Sequence, residues 1–216
     1  MIKRIFLALF VVCTLTFLSG CLTTLYPFFT EKDLVFNPDL VGLWSYKKPG
    51  EEGKVYFEKI PQSRLSELSP GIRKMADKGY LLTWKDSTDT ETSKYFVFMA
   101  KIGGNFYLDY YPAEMEFEKP LADAFKEQQL KMHSCYRINF RNRDAFEMKM
   151  LEASFLDELI DKKRIRIRYE EIEVLEKKRI ITASTDELQQ YLVKYGDEPK
   201  AYNEALSFTC TRIINY

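Results

Sequence analysis

The chain has 216 residues with 32 basic and 32 acidic side chains, so its formal charge at pH 7 is zero. That balance supplies no electrostatic drive toward nucleic acid. Aromatic residues make up 15% of the chain against only 9 glycines and 8 prolines, which favours β-structure over long disorder, and neither a repeat nor a low-complexity tract is present.

The first segment reads "MIKRIFLALFVVCTLTFLSGC". Lys3 and Arg4 form a positive start, and Ile5 to Phe17 is an apolar stretch of thirteen residues. A membrane-spanning helix needs about 20 apolar residues, so this run has the length and charge order of an export signal instead. Leu18-Ser19-Gly20-Cys21 at its end resembles the bacterial lipobox. The resemblance implies a diacylglyceryl group on the Cys21 thiol, cleavage before Cys21 and acylation of the new amino end. The membrane is then the protein's first partner, because two or three acyl chains hold far more durably than one. Leu22, not Asp, follows the cysteine, and the first acid is Glu31. The resemblance therefore implies an outer-membrane anchor facing the periplasm of the bacterial cell envelope.

Removal of residues 1–20 leaves 196 residues with 30 basic and 32 acidic side chains, a formal charge of −2. This is enough chain for one domain with its own core. Residues 21–37 are expected to be a lipid-anchored tether whose Tyr26, Phe28 and Phe29 lie at headgroup level or pack on the domain. Residues 38–216 are expected to form a single β-barrel-like domain.

"DLVGLWSYKK" and "KVYFEKI" read as the first two strands. "SPGIRKMADKG" reads as a helix with Ser69 before it, Pro70 at its first position and Gly79 at its stop. "YLLTW" is a third strand. "KYFVFMAKIGGNFYLDYYP" is a hairpin, with Gly103-Gly104 supplying the turn. A helix is expected over Glu118–Lys131, then strands in "MHSCYRINF" and "AFEMKML". Ser154 opens a short helix through Lys163. "RIRIRYEEIEV" alternates and is expected to be extended, and "RIITAS" is a strand. Ser184 and Glu187 form a capping box that opens a helix ending at Gly196. "ALSFTCTRIINY" closes the chain as a strand. The fold class is mainly β with short helices, an antiparallel barrel of about eight to ten strands, since closure removes unpaired edges.

"DLVGLW", "KIGGNFYLDYYP" and "ITASTDELQQYLVKYG" resemble a group of bacterial lipoproteins of uncharacterised activity. More broadly, Gly42-Leu43-Trp44 resembles the G-x-W of lipocalins and the wider calycin barrels, and "TCTRI" resembles the closing strand of fatty-acid-binding proteins. The resemblance implies a calycin-like barrel. In the closing strand an Arg-x-Tyr pair would grip a carboxylate, but here Ile214 stands two places after Arg212. If the sheet closes, the strands of Trp44 and Arg212 become neighbours, and the guanidinium can cover the indole and seal one end.

Chemistry-bearing motifs are scarce. There is no G-x-S-x-G, H-E-x-x-H or C-x-x-C, so no catalytic residue, metal ligand set or cofactor is assigned. His133, the one histidine, shares a strand face with Cys135; the pair reads as half a metal site or as a structural histidine. Cys135 and Cys210, in an exported domain, read as a disulfide or as two buried thiols. Arg164, Arg166 and Arg168 lie on one face of an alternating segment, offering an anion surface or a solvated face balanced by Glu170, Glu171 and Glu173. The expected role is non-catalytic: binding of a small apolar molecule, or service to an envelope protein as a scaffold. The competing expectations are an envelope hydrolase with dispersed carboxylates and a module recognising glycan or protein. An open apolar barrel would favour ligand binding, a filled one a scaffold, and a polar cleft with converging carboxylates an enzyme.

Overall fold

The computed structural model describes residues 20–87, 92–114, 131–173 and 177–214. Eight antiparallel strands close into a barrel. Strand β1 (Thr23–Thr24) stands outside it, and β2 (Gly42–Lys48), β3 (Glu51–Lys59), β4 (Gly79–Asp86), β5 (Thr92–Ile102) and β6 (Asn105–Glu114) form a meander. It continues through β7 (His133–Asn142) and β8 (Ala145–Leu151). The chain then leaves the wall for β9 (Tyr169–Glu173) and β10 (Lys177–Ile181), and returns as β11 (Tyr202–Arg212) between β8 and β2. Among the described residues the α-helices are α1 (Pro70–Arg73), α2 (Ala153–Asp161) and α3 (Thr185–Tyr195).

The tight β5–β6 connection follows from Gly103 and Gly104, whose φ angles of 58° and 88° lie where a side chain is disfavoured. Period-two alternation then sorts the wall into two faces. Even-numbered residues such as Trp44, Tyr46, Tyr80, Leu82, Leu108, Tyr110, Ile138, Phe146, Met148 and Cys210 belong to one buried cluster inside the barrel. Residues of the opposite face, including Leu81, Tyr107, Ala113 and Cys135, join a second cluster outside it. β5 carries apolar residues on both faces, so Phe96 to Ala100 are all buried. Its outer face is covered, which is why the run does not alternate.

The cover is built largely from amphipathic helices. In α3, Leu188, Tyr191, Leu192 and Tyr195 recur at helical spacing and are buried. Ser184 and Glu187 form its capping box. At its other end Arg137, from β7, donates to the Gly196 carbonyl at 2.6 Å, a cation placed at the negative end of the helix dipole. Gly196 itself has right-handed backbone angles, so the left-handed stop expected from its sequence is not used.

The segment 21–37 is part of the domain and not a tether. Leu22, Phe28, Phe29 and Leu34 sit in the outer core, with Phe28 and Phe29 only 1% and 2% exposed. Burying a side chain of that size is worth about 1.5–3 kcal/mol, and the backbone follows. Leu22 N–H donates to Leu151 O at 3.0 Å, and β1 pairs with β7 and β10 at Thr24↔His133 and Thr24↔Ile181. Of the segment's other two aromatics, Phe36 is half-buried and Tyr26, 49% exposed, stays on the surface. Other expectations shift in detail. The Ser69 segment is helical only over Pro70–Arg73, with a 3-10 turn at Ala76–Lys78. Helix α2 is capped by Glu152 rather than Ser154. The alternating arginine segment pairs as a strand only over Tyr169–Glu173. The helix expected at 118–131 falls almost wholly outside the described residues.

Candidate functional site

One end of the barrel is sealed by the G-x-W strand. A 3-10 turn at Pro38–Leu40 precedes β2, and Leu40 O accepts a hydrogen bond from Trp44 Nε1 at 2.9 Å. Register places Arg212 opposite Trp44, and the guanidinium carbon lies 4.1 Å from the indole centroid. The same guanidinium donates to Val41 O at 3.1 Å, to Asp39 O and, through Nε, to Asp144 Oδ1 at 3.1 Å. Gly42 is required between them: its φ is 135°, and a Cβ there would stand 2.8 Å from Arg212 Nη1. Trp44, 1% exposed, packs edge-on against Phe146 at 4.6 Å.

The interior above this seal is filled by side chains. Phe57 meets both Phe146 and Tyr80 edge-on, at 6.4 and 6.1 Å. Nearer the other end Tyr46, Trp84 and Phe208 form a triangle with centroids 4.7, 5.5 and 5.1 Å apart. Tyr136, Tyr110 and Tyr95 continue from it. Trp84 Nε1 donates to Tyr46 Oη at 3.1 Å, and Tyr46 donates to Glu51 at 2.9 Å. Burial pushes the hydroxyls of Tyr110 and Tyr136 well up, and that of Tyr80 to about 12.

Cys135 and Cys210 are free, buried thiols, so of the two expected readings the disulfide is not the one present. Cys210 points into the barrel and Cys135 into the outer core. β8 separates their strands, and register sets Cys210 opposite Phe146 and Phe146 opposite Phe140, five positions along β7 from Cys135, so the two backbones lie beyond the reach of a bridge. Burial raises both thiols well above their ordinary range. Cys135 and His133 do share the outer face, but no group of three or more potential ligands among the described residues could hold a metal ion.

His133 has a different partner, one that the sequence did not disclose. Its Nδ1 is 2.6 Å from Asp109 Oδ1 across the β6–β7 pairing. Asp109 Oδ2 accepts the Phe28 N–H at 2.8 Å. The buried carboxylate thus clasps the N-terminal segment to the wall. The available signal was Asp109 itself, a lone acid within the apolar strand "NFYLDYYP", because a buried charge needs partners.

Concavities among the described residues include two on the outer surface. A groove of about 820 Å³ runs along β11, β2, β3 and β4, lined by Ser45, Lys47, Lys54, Lys85, Thr209 and Thr211. A pocket of about 490 Å³ lies between the N-terminal segment, the α1 region and the wall, with Tyr111, Lys131 and His133 at its polar side. Of the arginine face, Arg168 pairs with Glu187, while Arg164 and Arg166 are exposed. Cys21 is half-buried and bridges to Glu152, and burial raises its thiol.

No protein-family model, curated protein or solved structure matches the chain.

Proposed function

We propose that this is a lipid-anchored module of the bacterial cell envelope, non-catalytic, whose barrel serves as a rigid scaffold. The observation that carries the reading is the filled interior. Among the described residues sixteen buried side chains occupy the barrel, and their ring contacts leave that space to the protein's own residues. A ligand carried inside, in the manner of a lipocalin, is not favoured. Binding of an envelope partner or a small apolar molecule is assigned instead to the outer surface.

The anchor rests on the lipobox-like Leu18-Ser19-Gly20-Cys21, and the outer-membrane, periplasm-facing placement on Leu22. The Trp44–Arg212 closure supports kinship with calycin barrels. Hydrolase chemistry finds less support, since the Asp109–His133 pair is accounted for by its hold on Phe28. Labelling cells with palmitate tests the anchor: wild type takes up label and Cys21→Ala does not. Label retained in the variant overturns the anchor. Native mass spectrometry of protein purified from its host tests the scaffold, since a ligand protected by Tyr110 and Met148 inside the barrel would overturn it.

A further inference from the structure

We infer that the 490 Å³ pocket beside the N-terminal segment binds one acyl chain of an anionic, single-chain amphiphile. This deepens the outer-surface reading above and rests on it for the source of the ligand. The size lies within the roughly 300–1,000 Å³ of small-molecule sites. The wall is apolar, formed by Leu25, Pro27, Leu68, Ile72, Met75 and Phe98. Of these, Leu25, Pro27, Ile72 and Met75 are only half-buried, so the protein leaves apolar surface open at this seam. An alkyl chain would complete that burial.

The polar side sets the headgroup. Lys131 is exposed, donates to Ala113 O at 3.2 Å, and stands 5.8 Å from the Tyr111 ring. No carboxylate among the described residues pairs with it. Its remaining ammonium hydrogens are available to a carboxylate or phosphate. His133 also lines the pocket, its ring tilted against Tyr111 at 4.9 Å and held by Asp109. The wall is thus rigid where the head would rest.

Position favours a lipid as occupant. Leu25 follows Cys21 by four residues, at most about 14 Å of extended chain. With Cys21 anchored, the pocket stands within reach of the bilayer surface, where fatty acids and lysophospholipids arise by deacylation. Both carry one chain and an anionic head.

The test uses the chain from residue 21 onward with Cys21→Ser, which contains every described element. Its outcome is therefore independent of lipidation, and a failed anchor and a failed pocket are told apart. Binding of palmitate, lysophosphatidylglycerol and neutral hexadecanol is measured by equilibrium dialysis below their micellar concentrations. Saturable one-to-one binding of at least one anionic probe is expected, and the tighter of the two identifies the head. Ile72→Trp and Met75→Trp, each checked for a native circular dichroism spectrum, fill the pocket and weaken binding by about tenfold or more. Lys131→Gln weakens the anionic probe by about tenfold and leaves hexadecanol unchanged. Equal affinity for anionic and neutral probes, insensitivity to both tryptophan variants, or no saturable binding overturns the proposal.

Discussion

Three residues far apart in the chain make the sealed end: Gly42, Trp44 and Arg212. Trp44→Ala removes an indole that is 1% exposed and is expected to cost about 3–5 kcal/mol, the usual cost of such a cavity. Arg212→Lys keeps the charge but loses the flat plane over the ring and the fork of bonds to Val41 and Asp39. It is expected to cost about 1–2 kcal/mol. Gly42→Ala introduces a Cβ at 2.8 Å from Arg212 Nη1 on a backbone with φ of 135°, and should destabilise by about 1–3 kcal/mol. Urea unfolding of the single variants and the Trp44/Arg212 double variant checks the set; additive effects would show that the stacking carries no energy. The thiols of Cys135 and Cys210 call for a separate measurement. Both are expected to resist alkylation in the native protein and to react fully in guanidinium without reductant; a need for reductant would contradict the free thiols.

At the level of elements, helix α3 shows how local signals and tertiary contacts combine. Ser184 N–H donates to Glu187 Oε2 at 2.8 Å, and Arg168 Nε donates to the same oxygen at 2.9 Å. The Arg168 bond, followed by that from Ser184, holds the Glu187 carboxyl below its ordinary value. Asp33 behaves likewise: burial pushes it up, but hydrogen bonds from Thr30 and Gln189 outweigh this. A carboxyl lowered in the folded state binds its proton less readily there than in the unfolded chain. The stabilisation is therefore present above the ordinary value near 4 and is lost as pH falls through the lowered one. Glu187→Gln is expected to cost about 0.5–1 kcal/mol at pH 7. Urea midpoints should converge with wild type below about pH 3; a difference that persists there would exclude the ionic contribution.

Over the whole molecule, the aromatic content that suggested β-structure becomes a pH limit. Tyr80 is raised to about 12 by burial, and burial also raises Tyr107, Tyr110, Tyr136 and Tyr191. Unfolded tyrosine ionises near 10. Above that pH the unfolded chain loses protons that the folded barrel retains, so stability falls as pH rises through 10 toward 12. Thermal midpoints should drop steeply across that range. Phenolate absorbance from these rings should appear only with cooperative unfolding; a smooth titration in the folded protein would show that the interior admits solvent.

The hairpin at Gly103-Gly104, the capping box at Ser184 and the strands around Trp44 and Cys210 were legible in the chain because each depends on neighbours within a few residues. Glycine angles, cap bonds and period-two burial are local physics. So was the G-x-W pattern, and with it the expectation that the first and last barrel strands meet. What local pattern does not contain is the inner or outer assignment of each face. Cys135 and Cys210 read alike as apolar strand residues, and only closure of the wall sends one inward and the other outward. The segment after Cys21 read as a tether because its aromatics have no partners nearby in sequence. Their partners are Asp109, Phe98 and α3, tens of residues away. The same holds for the Asp109–His133 clasp and the pocket beside it. A buried charge and a cavity are defined by what surrounds them, and those surroundings exist only once distant segments are packed together.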